Sequence, residues 1–259
     1  GKAFRNEITP GNFTFRSREF EQMELQWYIQ PDGKEADTWL EYWKEERMRW
    51  YRDLGITEEK LRFREHAEHE RAHYARAAWD IEYESPFGWK ELEGIHNRGD
   101  WDLSRHAQFS GENMSYFDEE AAAHFIPWVI ETSGGVDRAA LFFLVDAYRE
   151  EENRIVLKLH PKIAPVKVAV FPLLANKEDL TAKAREIYQT LKHRMITAWD
   201  DRGNIGKRYY SQDEIGTPWC VTVDFKTLED NTVTVRERDT MGQERVAIQE
   251  LIHYISEKI

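Results

Sequence analysis

A period of two governs the polar and apolar positions near the start of the chain. If residues 13–27 form a strand, Arg16, Arg18, Phe20, Gln22, Glu24 and Gln26 share one face, and Phe15, Met23, Leu25 and Trp27 share the other. One face reads as core and the other as a polar platform. Residues 136–148 carry apolar side chains on most faces, among them Ala139, Leu141, Phe142, Phe143 and Val145, which is the pattern of a buried helix. Residues 166–174 then read as a strand and residues 180–199 as an amphipathic helix. Residues 217–225 and 231–238 read as strands joined through Leu228-Glu229-Asp230, and residues 247–259 as a closing helix. Strands alternating with helices predict a compact α/β domain in the last hundred residues, and the change of pattern places a linker near residues 150–160.

The polar platform is chemically specific. Its two arginines offer charge-assisted bonds to a polyphosphate, Phe20 offers a ring to a base, and Glu24 offers a carboxylate to an amine. The plainer alternative is an exposed strand with scattered charges. Neither a Walker A sequence nor a GxGxxG is present, so a nucleotide would be held without a glycine-rich phosphate loop. His69-Glu70-Arg71-Ala72-His73 fits the HExxH pattern of zinc hydrolases, with His66 extending the same face. Its flanks are heavily charged and no third ligand stands at a recognised spacing, so it reads as a solvated helix or a stretch bordering a binding pocket.

Composition narrows the class. With 259 residues, 41% hydrophobic and 13% aromatic, the chain has material for one or two packed domains. The net charge of −12 is uneven: residues 153–259 hold 17 basic against 15 acidic side chains, leaving 19 against 33 in the first 152. Nucleic acid would therefore be met locally, by the C-terminal part, because phosphate affinity comes mainly from Lys and Arg. The single cysteine, Cys220, excludes an internal disulfide. No apolar run approaches the roughly 20 residues of a membrane span and no signal peptide is seen, so a soluble, cytoplasmic protein is expected.

Phe4-Arg5-Asn6-Glu7, a loop, and then Arg16-Ser17-Arg18-Glu19-Phe20 resemble motif 2 of the class II aminoacyl-tRNA synthetases. Glu21-Gln22-Met23-Glu24 is similar to the glycyl-tRNA synthetases in particular. Residues 88–95 (GWKELEGI), 129–138 (VIETSGGVDR) and 162–170 (KIAPVKVAV) agree with that family in the same order. The resemblance implies an α+β architecture: an antiparallel catalytic core over residues 1–152, with the motif 2 hairpin at its centre, followed by a small α/β anticodon-binding domain over residues 160–259. Nothing resembling motif 1 is present, and an upstream part is expected to be missing or removed.

The implied activity is ATP-dependent activation of glycine and its transfer to tRNA(Gly), with Mg2+ as the metal and a homodimer as the assembly. A non-catalytic accessory paralogue is the competing implication. On the family pattern Arg5, Arg16 and Arg138 are the catalytic cations. Arg5 would contact the α-phosphate, Arg16 the γ-phosphate and Glu7 the adenine side, with Phe20 and Arg138 on the two faces of the base. Asn6, Phe15, Glu91, Leu92, Gly135 and Asp137 complete the implied nucleotide site. Glu24, Glu91 and Glu131 would surround the glycine ammonium and Ser133 would press on its α-carbon, with Phe20, Gln22 and Gly135 beside them. Glu119, Glu120 and Glu131 are candidate metal-facing carboxylates, and Glu93 is placed on the same strand face as Glu91. The turn at residues 201–209 is a basic, aromatic-flanked candidate for meeting unstacked bases.

Overall fold

The computed structural model describes residues 1–11 and 13–259. Contacts divide the chain into two compact units, Gly1–Val145 and Asp146–Ile259.

The first unit is built on a six-stranded antiparallel sheet. In chain order its elements are β1 (Lys2–Phe4), β2 (Glu19–Ile29), α1 (Gly33–Asp53), β3 (Leu61–Glu65), β4 (Ala77–Ser85), β5 (Gly88–Gly99), α2 (Trp101–Ser110), a small ribbon of β6 (Tyr116–Asp118) and β7 (Ala123–Phe125), β8 (Trp128–Gly135) and α3 (Val136–Ala147). The sheet order is β1-β2-β8-β5-β4-β3. The hairpin of β1 and β2 thus lies at one edge, and β8 and β5 occupy the centre where the hairpin was expected. Long, buried β5 and β8 pair along their length, whereas β1 has only three residues to pair.

Strand β2 starts at Glu19 instead of residue 13. Residues 13–15 form one 3-10 turn, with Phe13 at φ 56, and Gly11 bridges Arg16 across the loop. A left-handed residue cannot continue a strand, so the ladder resumes only beyond the loop. Within β2 the expected alternation is seen. Met23 packs on the core and Trp27 stacks on Trp39 of α1 at 4.8 Å, while Gln22, Glu24 and Gln26 form a hydrogen-bonded row on the other face.

Helix α1 has no counterpart among the elements read from the sequence. Asp32 caps it, accepting from the backbone N–H of Lys34 at 2.7 Å and Glu35 at 3.0 Å. Ala36, Leu40, Lys44, Met48 and Tyr51 form its buried stripe. Lys44 is tolerated there because its ammonium lies 3.5 Å from the Trp79 ring centroid and bonds Glu41 at 2.9 Å. Beneath the helix, Ile81, Tyr83, Leu92, Ile95, Ile130 and Phe142 make the core.

The second unit contains β9 (Tyr148–Glu151), β10 (Arg154–Leu157), β11 (Val168–Pro172), α4 (Glu178–Lys192), β12 (Thr197–Trp199), α5 (Ile205–Ile215), β13 (Trp219–Val223), α6 (Phe225–Asp230), β14 (Thr232–Glu237), β15 (Gln243–Ala247) and α7 (Leu251–Ser256). Its five-stranded sheet runs β12-β11-β13-β14-β15, with β12, β11 and β13 parallel and the rest antiparallel. Leu180, Ala184, Ile187 and Leu191 of α4 cover one face together with Leu251 and Ile255 of α7. Ile205 and Tyr209 of α5 cover Ala169, Phe171 and Cys220 on the other.

Three expectations change here. The amphipathic helix ends at Lys192, and residues 197–199 add a parallel strand at the sheet edge. Residues 228–230 belong to the short helix α6, capped by Asp224. The region expected as a linker is the β9–β10 hairpin, anchored by a buried ion network in which Arg154 donates to Asp213 at 2.8 Å while Arg236 bonds the same carboxylate at 2.8 and 2.9 Å.

Candidate active site

Two adjoining clefts open on the face of the first unit's sheet away from α1. The first lies over the β1–β2 hairpin and the start of α3. The loop between β1 and β2 is closed by backbone bonds from Arg5 N to Arg18 O and from Gly11 N to Arg16 O, both 2.9 Å. Those bonds turn Arg5, Arg16 and Phe20 toward one space. The Arg5 guanidinium lies 5.1 Å from the Phe20 ring centroid. Arg16 stands 3.6 Å from Glu7 and is otherwise largely open to solvent. Arg138, near the start of α3, forms the opposite wall; it donates to the carbonyls of Glu91 and Phe15, both at 3.0 Å, and pairs with the Glu91 carboxylate at 3.1 Å.

Phe15, Gly135 and Asp137 complete this wall. Phe15 also packs on Phe142 at 5.6 Å, tying the floor to the core. Thr14 Oγ1 lines the same cleft, buried and without a hydrogen-bond partner among the described residues. Phe20 and three guanidiniums, those of Arg5, Arg16 and Arg138, line one cleft with a spare hydroxyl, a set of groups able to stack an aromatic ring and bond anionic oxygens. Two residues expected here are elsewhere. Asn6 is exposed and lines neither cleft, and Leu92 is 1% exposed within the core.

The second cleft continues from the first across Arg5, Gln22, Glu91 and Ser133, which line both. Gln22 donates to the Ser133 hydroxyl and, at 3.0 Å, to Glu24. Gln26 donates to the other Glu24 oxygen at 2.9 Å, so neutral amides hydrogen-bond both oxygens of this carboxylate. Glu131, on β8, is 5% exposed and receives Arg98 Nη1 at 3.0 Å on each oxygen. Burial alone would raise its pKa, but the neighbouring His96 and the Arg98 guanidinium more than offset this and hold the carboxyl below its ordinary value.

Glu91 and Glu93 do not share a face, contrary to expectation. The β4–β5 register shifts between Ile81 and Glu82, so Leu92 and Glu93 both turn to the α1 side. There Glu93, 1% exposed, bonds Arg47 at 2.7 and 3.1 Å and the Tyr51 hydroxyl at 2.7 Å, while Glu91 stays at the clefts.

The second cleft also holds residues the sequence reading missed. After the bulge, Gly94, His96 and Arg98 alternate onto the cleft face. A Cβ on Gly94 would fall 2.9 Å from His96, so only glycine leaves that ring its place. His66 bonds Asp80 at 2.7 Å; burial nonetheless pushes the Asp80 carboxyl up, with nearby Glu91 adding to the effect. Strict alternation from Glu91 would have put Gly94, His96 and Arg98 on the opposite face, so the bulge hid them.

The HExxH segment lies in turns between β3 and β4 and forms no helix. Glu70 bonds Arg64 at 2.7 Å and accepts from Ala67 N at 3.1 Å, and together with Ala72, Tyr74 and Ala75 it lines the second cleft. No group of three or more His, Cys, Asp and Glu side chains able to hold a metal occurs among the described residues. Glu119 and Glu120 lie exposed in the β6–β7 turn, while Glu131 is engaged by Arg98. Among the described residues, therefore, no protein-built Mg2+ cage is found and no helix is long and apolar enough to cross a membrane.

Residues 167–258 match the model of the anticodon binding domain family. The whole chain aligns with proteins named glycine–tRNA ligase: 52% identical over 271 positions to that of Thermobifida fusca, 53% over 264 to that of Clostridium acetobutylicum and 52% over 267 to that of Borreliella burgdorferi. It covers 58%, 56% and 59% of those relatives, so it spans somewhat over half their length.

Proposed function

Because the chain is a homologue, along its entire length, of the glycine–tRNA ligases, we propose that its first unit activates glycine with ATP and its second unit engages the anticodon of tRNA. The observation that supports this most is the continuity of the two clefts through Arg5, Gln22, Glu91 and Ser133. A nucleotide in the first cleft would present its α-phosphate beside an amino acid in the second.

In this reading the base stacks between Phe20 and Arg138, Glu7 meets its edge, and Arg5 and Arg16 hold the α- and γ-phosphates. Mg2+, when bound, would screen phosphate charge. The absence of a carboxylate cage among the described residues fits an ion held chiefly by the phosphates themselves. The glycine ammonium faces Glu24, Glu91 and Glu131. Glu24, hydrogen-bonded by amides, retains the most uncompensated charge, since Glu91 is paired with Arg138 and Glu131 with Arg98. Ser133, held by Gln22, stands where a larger amino acid would place Cβ, so rejection is steric.

The chemistry is an adenylyl transfer followed by an acyl transfer. A carboxylate oxygen of glycine attacks the α-phosphorus and pyrophosphate leaves; a ribose hydroxyl of the tRNA then attacks the glycyl carbonyl and AMP leaves. Neither step needs an enzyme nucleophile. The side chains orient the reactants and oppose the charge that develops at phosphorus. Arg5, Arg16, Phe20, Glu131 and Arg138 all stand in the clefts, which supports an enzyme over a non-catalytic paralogue. Self-association into a homodimer belongs to the same reading and is checked by sedimentation. The activity is tested by glycine-dependent exchange of labelled pyrophosphate into ATP. Exchange that glycine stimulates supports the reading, and exchange driven equally by other amino acids overturns it.

A further inference from the structure

We infer that Arg98 is a positioning residue for the amino-acid pocket, acting through Glu131 and itself held by Asp102 and Tyr74. The inference rests on reading the second cleft as the glycine pocket. Its observations are separate from that reading.

Arg98 stands next to the end of strand β5 on the cleft face, and its planar guanidinium is used on every side. Nε and Nη2 form a fork on Asp102, at 2.7 and 3.0 Å, the first turn of α2 supplying that carboxylate four residues on. Nη1 bridges both Glu131 oxygens at 3.0 Å. The guanidinium carbon lies 4.1 Å from the centroid of the Tyr74 ring. A group with five donors in a fixed plane, fixed on two sides, leaves the Glu131 carboxylate little freedom to turn.

The consequence is an oriented carboxylate whose charge is largely matched within the protein. Glu131 would then contribute geometry to the ammonium site, while Glu24 contributes net charge. The titratable groups facing Glu131 are His96, whose Nδ1 stands 3.6 Å away, and Arg98 itself. Asp102 acts only through Arg98 and lines neither cleft. A lysine at position 98 would keep one charge but cannot hold Asp102 and bridge Glu131 in one plane.

The test measures binding of ATP and of glycyl-sulfamoyl-adenosine, a stable mimic of the glycyl-adenylate, by calorimetry on the full chain. Arg98→Ala is expected to weaken the glycyl compound about tenfold or more while ATP affinity stays within about twofold, the size of losing one charge-assisted anchor. Asp102→Asn should shift the same ligand in the same direction by less. Carboxyl-carbon NMR adds a readout that mere loss of packing would not move: in Arg98→Ala the Glu131 carboxyl should titrate at higher pH than in the unmutated chain, because burial is then opposed by His96 alone. If Arg98→Ala does not fold, Arg98→Lys decides in its place, with a loss of glycyl affinity expected and ATP affinity retained. Unchanged affinity for the glycyl compound in a folded position-98 variant, or an unmoved Glu131 titration, overturns the inference. Failure of the unmutated chain to bind the glycyl compound overturns instead the reading on which it rests.

Discussion

Glu91 and Glu93 are two residues apart and chemically identical, yet alanine at each should have very unequal consequences for stability. Glu93 is 1% exposed and bonds Arg47 twice and Tyr51 once. Removing it strands a fully buried phenol and a guanidinium whose side chain is 18% exposed. Breaking a buried pair by deleting one partner costs about 3–5 kcal/mol. The lower half of that range applies, because Arg47 keeps its stacking on Trp50 at 4.5 Å and some access to water. Glu91 is 54% exposed at the side chain and pairs with Arg138, which also donates to the Glu91 backbone, so its removal should cost about 0–1 kcal/mol. At a slope of about 2 kcal/mol per molar urea, Glu93→Ala moves the midpoint down by about 1.5–2 M and Glu91→Ala by less than about 0.5 M. Eight of the ten tryptophans lie in the first unit, so intrinsic fluorescence follows the relevant transition. Equal shifts in the two variants would refute the assignment of these carboxylates to opposite faces.

Arg138→Ala should weaken ATP binding more than tenfold in calorimetry while costing about 1–2 kcal/mol of stability for its two bonds to backbone carbonyls. Asp213→Ala leaves Arg154 and Arg236 buried without their shared carboxylate, so a loss of at least about 4 kcal/mol is expected, read as collapse of the second unit's amide NMR spectrum while the first unit's persists. Glu151 is held at about 2 by its bond to Arg154 and then by Lys158. A depressed carboxylate contributes stability above its unfolded value of 4.5, lost as pH falls toward 2; Glu151→Gln should therefore flatten the acid limb of stability across that window in pH-dependent urea melts.

Much of the candidate site was legible because its residues fall in short, ordered motifs. Arg5, Arg16, Phe20 and Arg138 meet in one cleft although more than a hundred residues separate Phe20 from Arg138. What the sequence hid was local irregularity. A single register shift at Leu92 reversed the face of Glu93 and of the residues after it, and no alternation rule anticipates a bulge. The turn at Phe13 was concealed by side chains that suit a strand. Helix α1 escaped because its apolar stripe contains Lys44 and its remaining faces are charged, which obscures the 3.6-residue period until Trp79 is seen to take the ammonium. In the second unit, β12 is a three-residue edge strand whose identity depends on pairing with residues 168–170, well back along the chain.

Selectivity for glycine is the central claim, and the most direct measurement compares the chain's affinity for glycyl-sulfamoyl-adenosine with that for the alanyl compound, which differs by one methyl group. With Ser133 fixed by Gln22 at the junction of the clefts, the glycyl compound should bind at least about tenfold more tightly, the lower end of what one added methyl costs in a tight pocket. Equal affinities, or tighter binding of the alanyl compound, would contradict the account.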